Sequence, residues 1–161
     1  MRRERVNRWL RHRATGARTV ILMSLLAVAA GRPALADTIE RAFINPAAGY
    51  TQVVTVSTNG VTTVYVSGQV SPADSLEAQL RGAFASLRDQ LTAAGAKLTD
   101  IVKLNTYIVD YKTEYLELFK SVRDEFFPKE NRPASTLVGV AALALPEYSV
   151  EIEATAVIAS E

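Results

Sequence analysis

The chain predicts an α+β domain in the order β-β-β-α-β-α-β-β, with two helices on one face of one sheet. Three observations carry this. Residues 51–57 and 61–67 are both rich in Val, Thr and Tyr, and Asn59-Gly60 lies between them. Asn-Gly in that setting is the strongest short-range sign of a hairpin, because both turn residues must take positive φ. Two later segments repeat apolar residues at three- and four-residue spacing, as amphipathic helices do. The final segment alternates, with Val150, Ile152, Ala154, Ala156 and Ile158 on one side and Glu151, Glu153 and Thr155 on the other.

Taken in order, residues 39–44 form a short first strand ended by Asn45-Pro46 and a loop reaching Gly49. The hairpin follows, and Ser71-Pro72 breaks the chain after it. Asp74 is the expected N-cap of the first helix, with Glu77 three residues on as a capping partner. Leu76, Leu80, Ala83, Phe84, Leu87, Leu91 and Ala94 make its apolar face, and Gly95 is a natural C′ residue. Residues 98–109 alternate as a strand apolar on both sides, hence central. Val102, Leu104, Thr106 and Ile108 share one face; Ile101, Lys103, Asn105, Tyr107 and Val109 share the other. A second helix spans about 113–127, with Tyr115, Leu118, Phe119, Val122 and Phe126 inward, and Pro128 ends it. Two strands, separated by a turn at Pro146 and Glu147, complete the order.

Residues 1–36 have a different character. Seven arginines stand in 1–18 against one acid, residues 19–30 carry no charge, and Ala34-Leu35-Ala36 is a small-x-small site. Basic, apolar and cleavage regions in that order predict a secretory signal peptide cut after Ala36. A membrane-spanning helix wants about 20 apolar residues, and Gly31-Arg32-Pro33 ends the run before that. Arg2-Arg3 lacks the following apolar pair of a twin-arginine signal, so the general secretory route is preferred. The expected product is residues 37–161, exported, periplasmic, and without stable membrane association.

Removal of that segment changes the chemistry. Eight of the eighteen basic residues and one of the seventeen acids lie in 1–36, leaving ten basic and sixteen acidic side chains. A net charge of −6 argues against nucleic acid as a partner, since phosphate neutralisation needs Lys and Arg. His12 and Trp9 leave too, and the chain has no cysteine. Cys–His and Ser–His nucleophiles, disulfides, and zinc sites built on His or Cys are thereby excluded. Chemistry must come from carboxylates, hydroxyls, Lys, Arg or backbone groups. About 125 residues bury roughly two-thirds of their unfolded surface. Two single-stripe helices cover one sheet face, so the other, which mixes Val, Leu, Ala and Thr with charges, calls for a partner. A closed oligomer is expected, and a ring is one way to close it.

Arg132-Pro133-Ala134-Ser135-Thr136, then Val138-Gly139-Val140, and Val150-Glu151-Ile152-Glu153-Ala154 together resemble the C-terminal signature of the RidA/YjgF family. Supporting pieces occur in order along 39–158: Gly49-Tyr50, Val66-Ser67-Gly68-Gln69, Glu77-Ala78-Gln79, Ala94-Gly95-Ala96, Asp100-Ile101-Val102-Lys103, Asp110 and Phe126-Phe127. The resemblance implies a RidA/chorismate-mutase-like fold, one mixed sheet covered on one face by two helices. It also implies a homotrimer with a central barrel and small-molecule clefts between subunits. Catalytic members hydrolyse small enamines and imines, such as 2-aminoacrylate, and release ammonia; no cofactor and no metal is expected.

Residue by residue, the resemblance makes Glu151 the catalytic group that positions or activates water. Tyr50, Ser67 and Gly68 become lining residues. Bland readings stand beside these: Glu151 and Glu153 as solvated strand charges, Tyr50 as a packing residue, Ser67-Gly68 as a strand end. Three matching positions depart from the family pattern. Ser135 stands where an arginine grips the substrate carboxylate, Leu137 where many members have cysteine, and Lys120 where many have asparagine. A bidentate guanidinium suits a planar carboxylate, so its loss points to altered specificity. Arg132, three residues upstream, falls on the opposite strand face, and Lys120 is the better substitute. Ser135 reads as a small polar residue that enlarges the cleft; it has no histidine to make it a nucleophile. Two functions follow: an enamine/imine deaminase-like hydrolase of altered specificity, or a non-catalytic trimer that binds a small ligand or a protein.

Overall fold

Six strands and two helices form in the predicted order: β1 (Glu40–Ala47), β2 (Tyr50–Thr58), β3 (Val61–Gln69), α1 (Leu76–Ala93), β4 (Ile101–Val109), α2 (Tyr115–Phe126), β5 (Ala134–Val140) and β6 (Val150–Ala159). This computed structural model describes residues 38–160, so the expected signal peptide lies outside the described residues. Asn59 (φ 52°) and Gly60 (φ 75°) take the left-handed conformations that a two-residue hairpin demands.

One mixed sheet runs β1-β2-β3-β6-β4-β5. β4 and β5 are parallel, joined through α2, and every other neighbouring pair is antiparallel. The helices bury one face. Val53, Val64, Leu104, Ile108, Ile152 and Ala156 from the sheet meet Leu80, Phe84, Leu87, Leu91 and Val122 from the helices. Phe84 stacks on Phe126 at 5.1 Å between centroids and meets Phe127 edge-on at 5.9 Å. Each such side chain contributes roughly 1.5–3 kcal/mol on burial.

Four local expectations are corrected. Ser75, not Asp74, caps α1, accepting from the Ala78 N–H at 3.2 Å. With the cap one residue later, Glu77 is no longer the third helical position and pairs instead with Arg81. β1 continues through Asn45-Pro46 to Ala47, because on an edge strand the missing Pro N–H costs no ladder bond. Residues 98–100 form a single 3₁₀ turn, tightened by the Asp100 carboxylate on the Lys97 N–H. At the start of β4, the pairs Ile101↔Ala156 and Lys103↔Thr155 enclose a bulge. The extra residue turns Val102 outward and Ile101 into the core, reversing the predicted faces at those two positions.

Beyond the bulge, β4 alternates as expected, with Leu104, Thr106 and Ile108 inward. Gly95 ends α1 at φ 75°, while the N–H groups of Gly95 and Ala96 reach the carbonyls of Thr92 and Leu91. The sheet face away from the helices stays largely open. Phe43, Tyr65 and Val157 stand exposed there, on the side carrying Thr155 and Val54. Among the described residues, no helix is long and apolar enough to cross a membrane.

Candidate functional site

A second bulge builds the site. β3 pairs with β6 at Val66↔Ala154 and then at Gln69↔Ile152, so β3 holds one extra residue at Ser67-Gly68. Ser67-Gly68 is therefore a strand irregularity and not a strand end. The bulge is pinned from both sides. The Ser67 hydroxyl donates to the Thr51 carbonyl at 2.7 Å, and the buried Gln69 amide donates to the Ser67 carbonyl at 2.9 Å and accepts from Ser86 at 2.6 Å.

Gly68 then lies directly against Glu151. A Cβ at Gly68 would overlap the Glu151 carboxyl and stand 2.7 Å from its Cγ. The Gly68 backbone is not in the left-handed region, so glycine serves close approach here, not turning. Glu151 is held by its strand: Val150 and Ile152 on either side are fully buried. Burial raises the Glu151 carboxyl pKa above its usual 4.5, and the neighbouring Glu153 charge adds to the rise. Among the described residues, nothing donates a hydrogen bond to the Glu151 carboxyl.

Tyr50, Ser67, Gly68 and Glu151 line one cavity of about 480 Å³. The structure thus brings together four of the seven residues singled out from the sequence. Tyr50 is half exposed and its phenol oxygen accepts from Gln52 at 3.1 Å, so it is no core residue.

The remaining wall comes from Val70, Ala144, Leu145 and Tyr148, which sequence reading missed. Three of these belong to the segment between β5 and β6, where only the Pro146-Glu147 turn was legible. Gln79 of α1 fixes that segment. Its buried amide donates to the carbonyls of Glu147 and Ala73, each at 2.9 Å, and accepts from the Ser149 N–H at 2.7 Å. A buried amide in the apolar stripe of a helix was the available signal, since such a group needs partners.

Lys120, Ser135 and Leu137 lie elsewhere. Ser135 and Leu137 pair with Leu104 and Thr106, whose side chains enter the helix-covered face, whereas Glu151 pairs with Tyr107 on the open face. Lys120 projects from α2 and forms an ion pair with Glu117 at 2.7 Å. Within one chain, these three residues and the Glu151 cavity stand on opposite sides of the sheet. Arg132 precedes β5 and bonds Asp124 at 2.8 Å.

Glu153 is not a solvated strand charge. It accepts from Asn105 at 2.8 Å and from the Tyr107 hydroxyl at 2.9 Å, beside a second cavity of about 250 Å³. That hydrogen bond, with burial, raises the Tyr107 phenol pKa. Glu153 is thus a satisfied acceptor, while Glu151 is the acid left open to a ligand. Among the described residues, no three His, Cys, Asp or Glu side chains converge as metal ligands would.

Residues 40–158 match the family described as Endoribonuclease L-PSP. That span contains β1 to β5, all of β6 but its last residue, both helices, and the Gly68–Glu151 pair. The solved structure of Rv2704 from Mycobacterium tuberculosis, a member of the YjgF/YER057c/UK114 family, is 30% identical with a TM-score of 0.62. It covers 74% of this chain and 100% of its own. The chain belongs to the RidA/YjgF family. A 2-iminobutanoate/2-iminopropanoate deaminase of Dermatophagoides farinae is 34% identical over 122 residues, spanning 70% of this chain and 88% of that protein. The RutC family protein YjgH of Escherichia coli (strain K12) is 30% identical over 95 residues, 55% of this chain and 72% of the relative. RidA-family neighbours share the six-stranded mixed sheet with two helices described above.

Proposed function

We propose that this RidA-family chain is an enamine/imine deaminase-like hydrolase acting in the Glu151 cavity, with specificity altered at Ser135. The observation that carries the reading is the Glu151 carboxyl: half-buried, without a hydrogen-bond donor among the described residues, and pressed against the bare backbone of Gly68. A carboxyl with a raised pKa is matched to exchanging a proton with water near the working pH. In the proposed step, water oxygen bonds to the imine carbon as Glu151 takes its proton. That proton passes to nitrogen to give a carbinolamine; the hydroxyl proton then follows it to nitrogen, the C–N pair goes to nitrogen as the C=O bond forms, and ammonia leaves a carbonyl product. The likeness to an iminobutanoate/iminopropanoate deaminase supports this reaction class.

The full cleft is proposed to form between two copies in a homotrimer. Lys120, Ser135 and Leu137 cannot reach Glu151 through their own sheet, but the same surface of a second copy could be laid beside it. The exposed Phe43, Tyr65 and Val157 on the open face support association through that face. Export through cleavage after Ala36 is part of the same proposal.

A second reading is a trimer that binds a small ligand or a protein without catalysis. Ser135 favours it, because truncating a buried, hydrogen-bonded charge typically costs about 2–5 kcal/mol of binding. Ammonia release from freshly generated 2-iminopropanoate separates the two, measured for the unmodified protein, Glu151→Ala and Ser135→Arg. Little or no release from the unmodified protein is the expected result; clear release that Glu151→Ala abolishes would remove the altered specificity. Release gained only with Ser135→Arg places the change in specificity. A folded, trimeric Ser135→Arg protein with no activity overturns the hydrolase and leaves the binding module.

A further inference from the structure

Among the described residues, nothing positive faces the Glu151 carboxylate. Its cavity has no lysine or arginine in its walls; besides Glu151, the ionisable side chains are the phenols of Tyr50 and Tyr148. Leu145 and Val70 add apolar surface. A second copy that completed the cleft with its β5 surface would add Ser135 and Leu137, a hydroxyl and an isobutyl group. Of the basic side chains on β4, α2 and the approach to β5, Lys103 donates to the Thr136 hydroxyl at 2.6 Å. Arg123 and Arg132 share Asp124 at 2.9 and 2.8 Å, and Lys120 holds Glu117 at 2.7 Å.

An anion entering such a cavity meets a partly desolvated carboxylate with no counter-charge, and like charges there repel strongly. A nitrogen cation meets the reverse. Its N–H can give Glu151 the charge-assisted bond that no protein group supplies, and tyrosine rings in the same walls suit a cation.

We propose that the Glu151 cavity selects small nitrogen cations lacking a carboxylate, namely protonated amines and iminium ions, over amino-acid and imino-acid anions. The inference deepens the deaminase reading and rests on it for its chemistry, while the binding preference stands on the cavity alone. With an iminium substrate, water oxygen bonds to the iminium carbon and Glu151 relays one water proton to nitrogen. The C–N pair then goes to nitrogen and the remaining hydroxyl proton passes through Glu151 to the departing ammonia, so that ammonium and an aldehyde or ketone leave. Burial and Glu153 both disfavour the ionised Glu151, and a bound cation opposes both effects.

The test titrates the purified protein with pyrrolidinium, L-proline and cyclopentanol, followed by amide NMR shifts at Gly68 and Glu151. Pyrrolidinium carries the cation alone, proline adds the carboxylate, and cyclopentanol keeps the size without charge. The expected result is a preference of about tenfold or more for pyrrolidinium over both others, lost in Glu151→Gln. Proline binding as tightly as pyrrolidinium, no pyrrolidinium binding, or a preference that survives Glu151→Gln overturns the inference. Imine hydrolysis without pyrrolidinium selectivity sinks this inference and leaves the deaminase standing. Selectivity without hydrolysis of any imine does the opposite.

Discussion

The Glu151 carboxyl occupies the space that a side chain at position 68 would need. One strand supplies an acid and its neighbour supplies the absence of a Cβ, through a bulge that brings the two together. The acid is thereby packed against backbone on one side and open to the cavity on the other.

Gly68→Ala is expected to push Glu151 out of position. Overpacking of this kind typically costs about 1–3 kcal/mol, measurable as a lower denaturant midpoint. Ammonia release should fall further than stability explains, with activity not regained on cooling. Unchanged activity with wild-type stability would remove the close-approach argument.

Glu151 is expected to cost stability once ionised. Its folded pKa is raised above 4.5, so the folded state holds the proton more tightly than the unfolded state does. Its stabilising contribution is present below the ordinary carboxylate range and disappears as pH rises through the raised value. Glu151→Gln should therefore unfold at a higher temperature than the unmodified protein at neutral pH, with the gap closing in acid. Activity should show the reverse trend, rising with pH as the base form appears. Thermal melts at several pH values check the first, and a pH–rate profile the second.

Gln79→Leu is expected to loosen the cavity wall. It leaves the carbonyls of Ala73 and Glu147 and the Ser149 N–H without their partner, at about 1–3 kcal/mol for each group left buried and unpaired. Hydrogen exchange should accelerate across 144–149 while the amides of β3 and β4 stay protected. KM should rise more than kcat falls, because the affected residues line the cavity and carry no proton. Protection lost evenly over the whole sheet would make Gln79 a general core residue instead.

Tyr65→Glu is expected to break the proposed trimer. The side chain is 49% exposed on the open face, pairs across strands with Thr155 and Val54, and sits near Glu153. A new carboxylate there meets an existing one and removes apolar surface. Sedimentation velocity should show a trimer for the unmodified protein and a monomer for the variant, with the far-ultraviolet spectrum retained. A monomer in both cases ends the proposal of an intersubunit cleft.

Sequence alone determined the order of elements, the Asn59-Gly60 hairpin, both helical stripes and the alternation of β6. Those features depend on backbone preference and on periodic burial, which are local properties that neighbouring residues encode together. The family likeness also singled out Glu151 from the C-terminal signature and Tyr50, Ser67 and Gly68 from matching pieces earlier in the chain. Only the tertiary structure decided the two bulges, because an extra residue in a strand is defined by its partner strand and leaves no periodic trace. The bulges put Val102 outside, Ile101 inside and Gly68 against Glu151. The tertiary structure likewise decided that Gln79 holds the wall that Leu145 and Tyr148 form, a contact across about seventy residues. It also separated Ser135 and Leu137 from Glu151, since which face of a shared sheet a residue occupies depends on cross-strand register, and Lys120 went with the helix that covers the other face.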